Sequence, residues 1–307
     1  MEIKFFNKED LKTRVRDFCE LSHICFSAPV DEKIIIQRYI ENPYQDLLMC
    51  IAEEKGKIVA NYSAVPIRCQ IGNKEIKAAL SLNTMTHPEY EGKGLFVELA
   101  SRLYSKMESE QYSFIIGFPN YLSNGIFCKK LDWKNIYEIP TMEKELDGNR
   151  KKKIERNVAN RKEDWTRLCM HLPNQIHISK KYEYLKWRYI DHPTNQYYLL
   201  KISDNCWSIY HFYNKEMNLT EIHANENVNE INNMLDQLTN FALLENVEKI
   251  TVWCQTNTIM HGVLERRGFV NKTPIRYFGA KELAYKEEID LFDWRNWSIC
   301  MGDDNVY

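Results

Sequence analysis

The sequence predicts an α/β protein with a mixed, mostly antiparallel sheet flanked by helices in each of two halves. Three observations lead there. The chain has 307 residues, more than one compact core ordinarily organises and enough for two domains of about 150 residues each. Stretches with apolar residues every three to four positions alternate with short apolar runs, so helices and strands intermix along the chain. One element also occurs twice. Arg38-Tyr39-Ile40-Glu41-Asn42-Pro43 returns 150 residues later as Arg188-Tyr189-Ile190-Asp191-His192-Pro193. Each copy closes a helical stretch with a proline, which cannot continue the helix. A later pair, Phe127 to Trp133 and Val263 to Phe269, keeps the same order.

In the first half, Ile3 to Phe6 reads as a strand and Lys8 to Glu41 as mostly helix. Leu47 to Ala52 and Ile58 to Cys69 read as a hairpin with Gly56 in its turn. Lys77 to Thr86 is a further strand. Gly94 to Met107 is an amphipathic helix, because Leu95, Leu99, Leu103 and Met107 recur every four residues. Tyr112 to Gly117 is a buried strand, Ser123 to Lys130 a short helix and Trp133 to Thr141 a last strand. The second half reads as strands at Ser208 to Tyr213, Met217 to His223 and Ile250 to Cys254, helices at Asn229 to Leu244 and Met260 to Arg267, and a C-terminal strand at Trp297 to Asp304. Between the halves, Glu143 to Asp164 is rich in Lys and Arg and reads as a solvated linker or surface helix.

Composition excludes several function classes. An apolar fraction of 44% fills two cores, and a net charge of −2 argues against a bulk electrostatic grip on nucleic acid or anionic lipid. No apolar run approaches the ~20 residues of a membrane span. The nine cysteines are scattered without a Cys-x-x-Cys pair. This is the pattern of reduced thiols in a cytoplasmic protein. The histidines show no zinc-type spacing, and His171 and His177 lack cysteine partners, so no metal site is expected.

The chemistry is carried by Thr84-Met85-Thr86-His87-Pro88-Glu89-Tyr90-Glu91-Gly92-Lys93-Gly94-Leu95-Phe96. This is a strand end, a proline turn, two glycines and the start of a helix. Glycines let successive N–H groups curl into one concavity, and a helix start adds unpaired N–H groups and partial positive charge. Such a site holds phosphate or pyrophosphate. The chain has neither the P-loop pattern nor Gly-x-Gly-x-x-Gly.

The segment resembles motif A of the GNAT N-acyltransferase superfamily, and Ile116-Gly117-Phe118-Pro119-Asn120 followed by Ser123 to Trp133 resembles motif B. The likeness covers Ile34 to Thr141, with the second half alike in pattern only. It implies tandem GNAT-like domains. Residues 1–145 form the domain with the CoA-binding loop. Residues 146–307 form a degenerate domain that helps build the acceptor pocket, with Trp187, His223 and Trp253 as contributors. The second half has no glycine loop, as Ala224 to Glu230 contains two glutamates and no glycine.

The resemblance implies roles as well. Amides of Gly92, Lys93, Gly94, Leu95 and Phe96 hold the CoA pyrophosphate, and the backbone of Met85 and Thr86 pairs with the pantetheine arm. Asn120, Ser123 and Phe127 border the thioester. Cys128 stands where many members have an acid tyrosine, with Tyr121 as the alternative. Asn83 orients the amine or a water, and Glu138, His87 and Glu89 are the titratable groups near enough to serve as base. Two departures stand out: Glu91 replaces the usual Arg or Gln, and Phe96 the usual Gly or Ala.

The implied cosubstrate is acetyl-CoA or a short acyl-CoA, and the acceptor a small primary amine. The duplicated element, the Gly-Lys-Gly-Leu-Phe loop and the Gly302-Asp303-Asp304 end resemble tandem enzymes that acylate dTDP- or UDP-amino sugars. A small amine, peptide or antibiotic as acceptor, a non-catalytic acyl-CoA-binding protein, and a tRNA-dependent aminoacyl transferase are the rivals; the near-neutral charge speaks against the last. Neither nucleic acid nor membrane is expected as a partner, and a homodimer is compatible with the sequence.

Overall fold

The computed structural model describes residues 1–44, 46–147, 165–168, 170, 172 and 175–304. Most of the charge-rich linker, with Arg150, Lys151, Lys152, Lys153, Arg156, Arg161 and Lys162, lies outside the described residues, as does His171. The chain divides into two compact units. One comprises Met1–Tyr137, Asp191–Thr194 and Tyr277–Trp294, the other Glu138–Ile190, Asn195–Arg276 and Arg295–Tyr307. The division is therefore not a single cut at residue 145.

In the first unit, β1 (Glu2–Phe5) leads into α1 (Lys8–Phe26). Asn7 and Asp10 form a capping box at its start, and Leu11, Val15, Phe18 and Leu21 are its buried face. The long helix expected over Lys8 to Glu41 is broken. Ser27 turns left-handed at φ 55°, and the chain resumes as α2 (Glu32–Ile35) running into a π-helical turn, Ile36–Ile40. Ser27-Ala28-Pro29 explains the break, since the residue before a proline is driven out of the helical region.

Then come β2 (Leu48–Glu54), β3 (Lys57–Ile71), β4 (Lys74–Thr86), α3 (Leu95–Ser109), β5 (Phe114–Gly117) and α4 (Tyr121–Lys130). Strands β1 to β4 pair antiparallel in chain order. β5 joins β4 in parallel, with Ala78, Ala79 and Leu80 opposite Phe114, Ile115 and Ile116. α3 buries Leu95, Leu99, Leu103 and Met107, the stripe the sequence predicts.

The next strand, β6 (Lys134–Glu145), does not return to β5. Its residues Thr141 to Glu145 pair with β11 (Lys249–Trp253) of the second unit, and β5 is paired instead by Phe278's strand β12 (Val270–Glu282), Gly279 opposite Gly117. Each unit is thus completed by a strand from the other half of the chain.

The second unit holds β7 (Ile176–Ile178), α5 (Tyr182–Leu185) with a π-helical turn Lys186–Ile190, β8 (Tyr197–Ser203), β9 (Cys206–Tyr213), β10 (Glu216–Ala224), α6 (Val228–Leu244), β11 (Lys249–Trp253) and α7 (Ile259–Arg266). β8, β9 and β10 pair antiparallel, and β10 pairs with β11 in parallel. Both copies of the repeated Arg-Tyr-Ile segment fold as the π-helical turn. The C-terminal strand expected at Trp297 to Asp304 is absent among the described residues. Trp297 makes a single bridge to Ile176, and Met301–Asp303 is a 3-10 turn, because Asp303 is drawn inward to Lys180.

Candidate functional site

The site grows from two local irregularities in the first unit. The first is a bulge on β4. Asn61 lies opposite Met85 and Ser63 opposite Leu82, so Asn83 and Thr84 together face Tyr62. Asn83 is left-handed, at φ 50°, a conformation that asparagine tolerates better than most residues. Its side chain is held. Asn83 Oδ1 accepts hydrogen bonds from Arg38 Nη1 and the Tyr39 hydroxyl, both at 2.9 Å, and its carbonyl accepts one from Asn61 Nδ2 at 2.6 Å. Beyond Leu80 the ladder to β5 ends. β4 therefore runs on through Met85, buried, and Thr86, half-buried, without a β5 partner.

The second irregularity follows at once. His87 caps a 3-10 turn, Pro88–Tyr90, its Nδ1 accepting from the Glu89 N–H at 3.3 Å. That bond makes His87 a turn residue. Gly92 and Gly94 then adopt φ 73° and 77°, which L side chains rarely take. A Cβ at either position would meet nothing within 4 Å, so backbone conformation and not space calls for glycine. Gly94 caps α3 without a side-chain hydrogen bond. The first bond inside the helix is Glu98 N–H to the Gly94 carbonyl, 3.1 Å. The N–H groups of Leu95, Phe96 and Val97 are left without intrahelical acceptors at the positive end of a 15-residue helix. Glu91, Gly92, Lys93 and Gly94 are all exposed. Open donors of this kind can hold an anion such as a pyrophosphate. Lys93 sits over the Tyr90 ring, 4.3 Å from its centre.

The floor of the site is aromatic. Phe96 packs on Phe127 and Tyr62, and Phe127 on Trp133. Beneath them Tyr62 bonds the Tyr104 hydroxyl at 2.7 Å and Ser81 Oγ at 3.0 Å, while Trp133 Nε1 donates to Tyr104 at 2.9 Å. Burial pushes both tyrosines well above their ordinary range, so they stay protonated. A Cβ on Gly117 would lie 3.2 Å from Trp133, so this glycine lets the indole close on the end of β5.

On α4, Asn120 is the N-cap: its Oδ1 accepts from the Ser123 N–H at 2.9 Å and the Ser123 hydroxyl at 3.0 Å. Tyr121 is exposed. The Cys128 thiol donates to Asn135 Oδ1 at 3.5 Å and Asn124 Oδ1 at 3.7 Å, and burial raises its pKa. Glu138 is an exposed residue of β6. The structure thus brings Met85, Thr86, the Gly92–Phe96 segment and Phe127 into one neighbourhood of the first unit. It commits the polar atoms of Asn83 and Asn120 partly to local structure. Arg38, Tyr39, Tyr62 and Tyr104 escaped the sequence reading. For Arg38 and Tyr39 the signal was the repeated motif itself. A cavity of about 330 Å³ lies by His87 and Tyr90; on its wall Asp17, Glu20, Glu54 and Glu89 outnumber Lys55 and Lys57, which does not suit a phosphate.

In the second unit, the helix that follows β10 starts differently. Asn227 caps α6, its Oδ1 accepting from the N–H groups of Asn229 and Glu230 at 3.1 and 3.4 Å. Two N–H groups of the first turn, of the kind that α3 leaves open, are closed here. Trp187, His223 and Trp253 are buried.

Residues 9–136 match the acetyltransferase (GNAT) domain family. Solved structures share the fold: a probable N-acyltransferase of Enterococcus faecalis V583 (12% identity, 92% of this chain and 73% of that one, TM-score 0.67) and a GCN5-related N-acetyltransferase of Kribbella flavida (12%, 92% and 72%, TM-score 0.67). A putative acetyltransferase of Pyrococcus horikoshii covers 93% of this chain and 91% of its own, with 13% identity and a TM-score of 0.58. No curated protein matches the sequence. The chain carries an acetyltransferase (GNAT) domain and is an acyltransferase. Among the described residues no helix is long and apolar enough to cross a membrane.

Proposed function

We propose that this chain is an acyl-CoA-dependent N-acyltransferase that moves an acetyl or short acyl group to a primary amine. The observation that carries the reading is the uncapped start of α3 behind two left-handed glycines. Bound acyl-CoA supplies an activated thioester carbonyl. The amides of Gly92 to Phe96 hold its pyrophosphate. The stretch of β4 at Met85 and Thr86, paired with β3 on one side and without β5 on the other, takes the pantetheine arm as an added strand, and an amide there polarises the acyl carbonyl. Asn120, Ser123 and Phe127 border the arm, and Phe127 and Trp133 exclude water from the floor.

The neutral amine attacks the acyl carbon, the C–S bond breaks, and the thiolate takes up a proton. Cys128, protonated at neutral pH, is the proposed donor for it. The amine sheds its own proton to water. Asn83 contributes its Nδ2 donors to orientation, because its Oδ1 is occupied by Arg38 and Tyr39.

For the acceptor, a nucleotide-linked amino sugar is the class to try first. The repeated π-helical turn supports a tandem architecture of the kind that acts on such sugars. Gly302-Asp303-Asp304 lends it no support, since both aspartates are buried and unavailable to a ligand at the surface. The test is release of free CoA thiol from acetyl-CoA with a panel of primary amines that includes dTDP- and UDP-amino sugars. Turnover with any amine supports acyl transfer, and turnover confined to other amines removes the sugar reading. Binding of acetyl-CoA with no turnover across the panel would leave a carrier of acyl-CoA in place of an N-acyltransferase.

A further inference from the structure

The second unit contains a buried polar cluster that the reaction above does not use. It forms where β10 parts from β11: their pairing ends at Leu219 and Val252, and a bulge between Leu219 and Glu221 redirects β10. Past that point Glu221 and His223 project from one face of β10, and Cys300 comes to them from the C-terminal segment. Glu221 Oε2, His223 Nε2 and Cys300 Sγ lie within 4.8 Å of one another, and all three residues are buried.

Two partners converge on one atom. His223 Nε2 is 2.8 Å from Glu221 Oε2 and 3.7 Å from Cys300 Sγ. A Cys-His-Glu relay needs the thiol and the carboxylate on opposite ring nitrogens, so this arrangement is no nucleophile triad. A nitrogen, a sulfur and a carboxylate oxygen gathered this closely are a donor set that a cation can bridge. A tetrahedral zinc ion sets N and S ligands about 3.6 Å apart and N and O ligands about 3.4 Å apart, from its bond lengths. The sulfur is already in place, and the carboxylate has to retreat by about half an ångström.

The surroundings hold the carboxylate and supply charge. Glu221 Oε1 accepts from Lys180 Nζ at 2.6 Å and from the Tyr189 hydroxyl, which orients Oε2 toward His223. Lys180 also pairs with Asp303, whose Oδ2 accepts the Cys300 N–H at 2.8 Å. On one side a cavity of about 270 Å³, lined by His223, Cys300, Asn225, Gln255 and Ser298, leaves room for a fourth ligand.

We infer that Glu221, His223 and Cys300 bind one zinc-class divalent cation, with an open coordination position facing the cavity. The full chain, stripped with chelator and titrated with Co²⁺, tests this directly. One equivalent is expected to bind with a thiolate-to-cobalt charge-transfer band and the visible bands of tetrahedral cobalt. Cys300→Ser abolishes the charge-transfer band, and Cys254→Ser, at a second thiol on the same cavity, retains it. Tyr189→Phe, which frees Glu221, weakens binding about tenfold. Should Cys300→Ser fail to fold, His223→Gln is the second variant and loses tetrahedral binding. Absence of the band from the wild-type protein, its persistence in Cys300→Ser, or unchanged affinity in Tyr189→Phe or His223→Gln would overturn the site. The readout is metal alone, so either result leaves the acyl-transfer reading standing.

Discussion

Replacing Gly94 by alanine isolates the feature on which the acyl-CoA site depends. Gly94 sits at φ 77° and ψ 4°, and a Cβ there touches nothing within 4 Å. The substitution therefore adds no clash, only the left-handed penalty of about 1–2 kcal/mol. Against an ordinary stability of about 5–15 kcal/mol the first unit stays folded. Its Tm falls by a few degrees, about 2–4 °C per kcal/mol for a domain of this size. The alternative open to the chain is to relax Gly94 to a right-handed conformation, which swings the leading N–H groups of α3 out of the concavity. Losing one charge-assisted hydrogen bond to a phosphate costs about 1.5–3 kcal/mol, so acetyl-CoA binding weakens roughly 10- to 100-fold. Isothermal titration calorimetry with acetyl-CoA reads this against the wild type. Gly94→Asp, which adds a negative charge beside the pyrophosphate, loses more. Affinity within twofold of wild type in both variants, with both folded, would refute the cradle.

Three further outcomes follow from the same geometry. Asn120→Ala removes the cap of α4 and lowers the stability of the first unit by about 1 kcal/mol; denaturant titration reads it, with a fall in kcat/KM larger than that in affinity for acetyl-CoA. Gly302→Ala places a Cβ 2.1 Å from the Tyr189 hydroxyl and 2.8 Å from Glu221 Oε1, and overpacking of this kind costs about 1–3 kcal/mol, seen as a lower unfolding midpoint of the second unit. Finally, burial lowers His177 and His211 to a pKa of about 4. The unfolded histidines take up protons near pH 6.5 while the folded ones stay neutral. Stability is thus full above pH 6.5 and falls between pH 6.5 and 4 by roughly 1.4 kcal/mol per pH unit for each histidine. Urea midpoints at pH 7.5 and 5 that coincide would contradict this.

Much of the first unit was legible because its signals are local. The four-residue apolar stripe of α3, the Gly56 hairpin and the glycine pair before α3 each follow from neighbours in the chain. The break in the first helix was also written locally, in Ser27-Ala28-Pro29, and the apolar residues on either side masked it. The polar partners of Asn83 were harder to see. Arg38 and Tyr39 stand some 45 residues away, and only the bulge on β4 brings the amide to them.

By itself the sequence determined the α/β class and most elements of the first unit, since periodicity, turn chemistry and helix capping act over a few residues, but it missed β12. Tertiary structure alone decided the rest. It sent β6 to β11 and β12 to β5, because a strand's partner is set by which edge and which apolar face it can cover. It also assembled Glu221, His223 and Cys300 from positions 77 residues apart, where no spacing rule reaches, because a bulge turned β10 inward and the ion pair of Asp303 with Lys180 drew the C-terminal segment onto it.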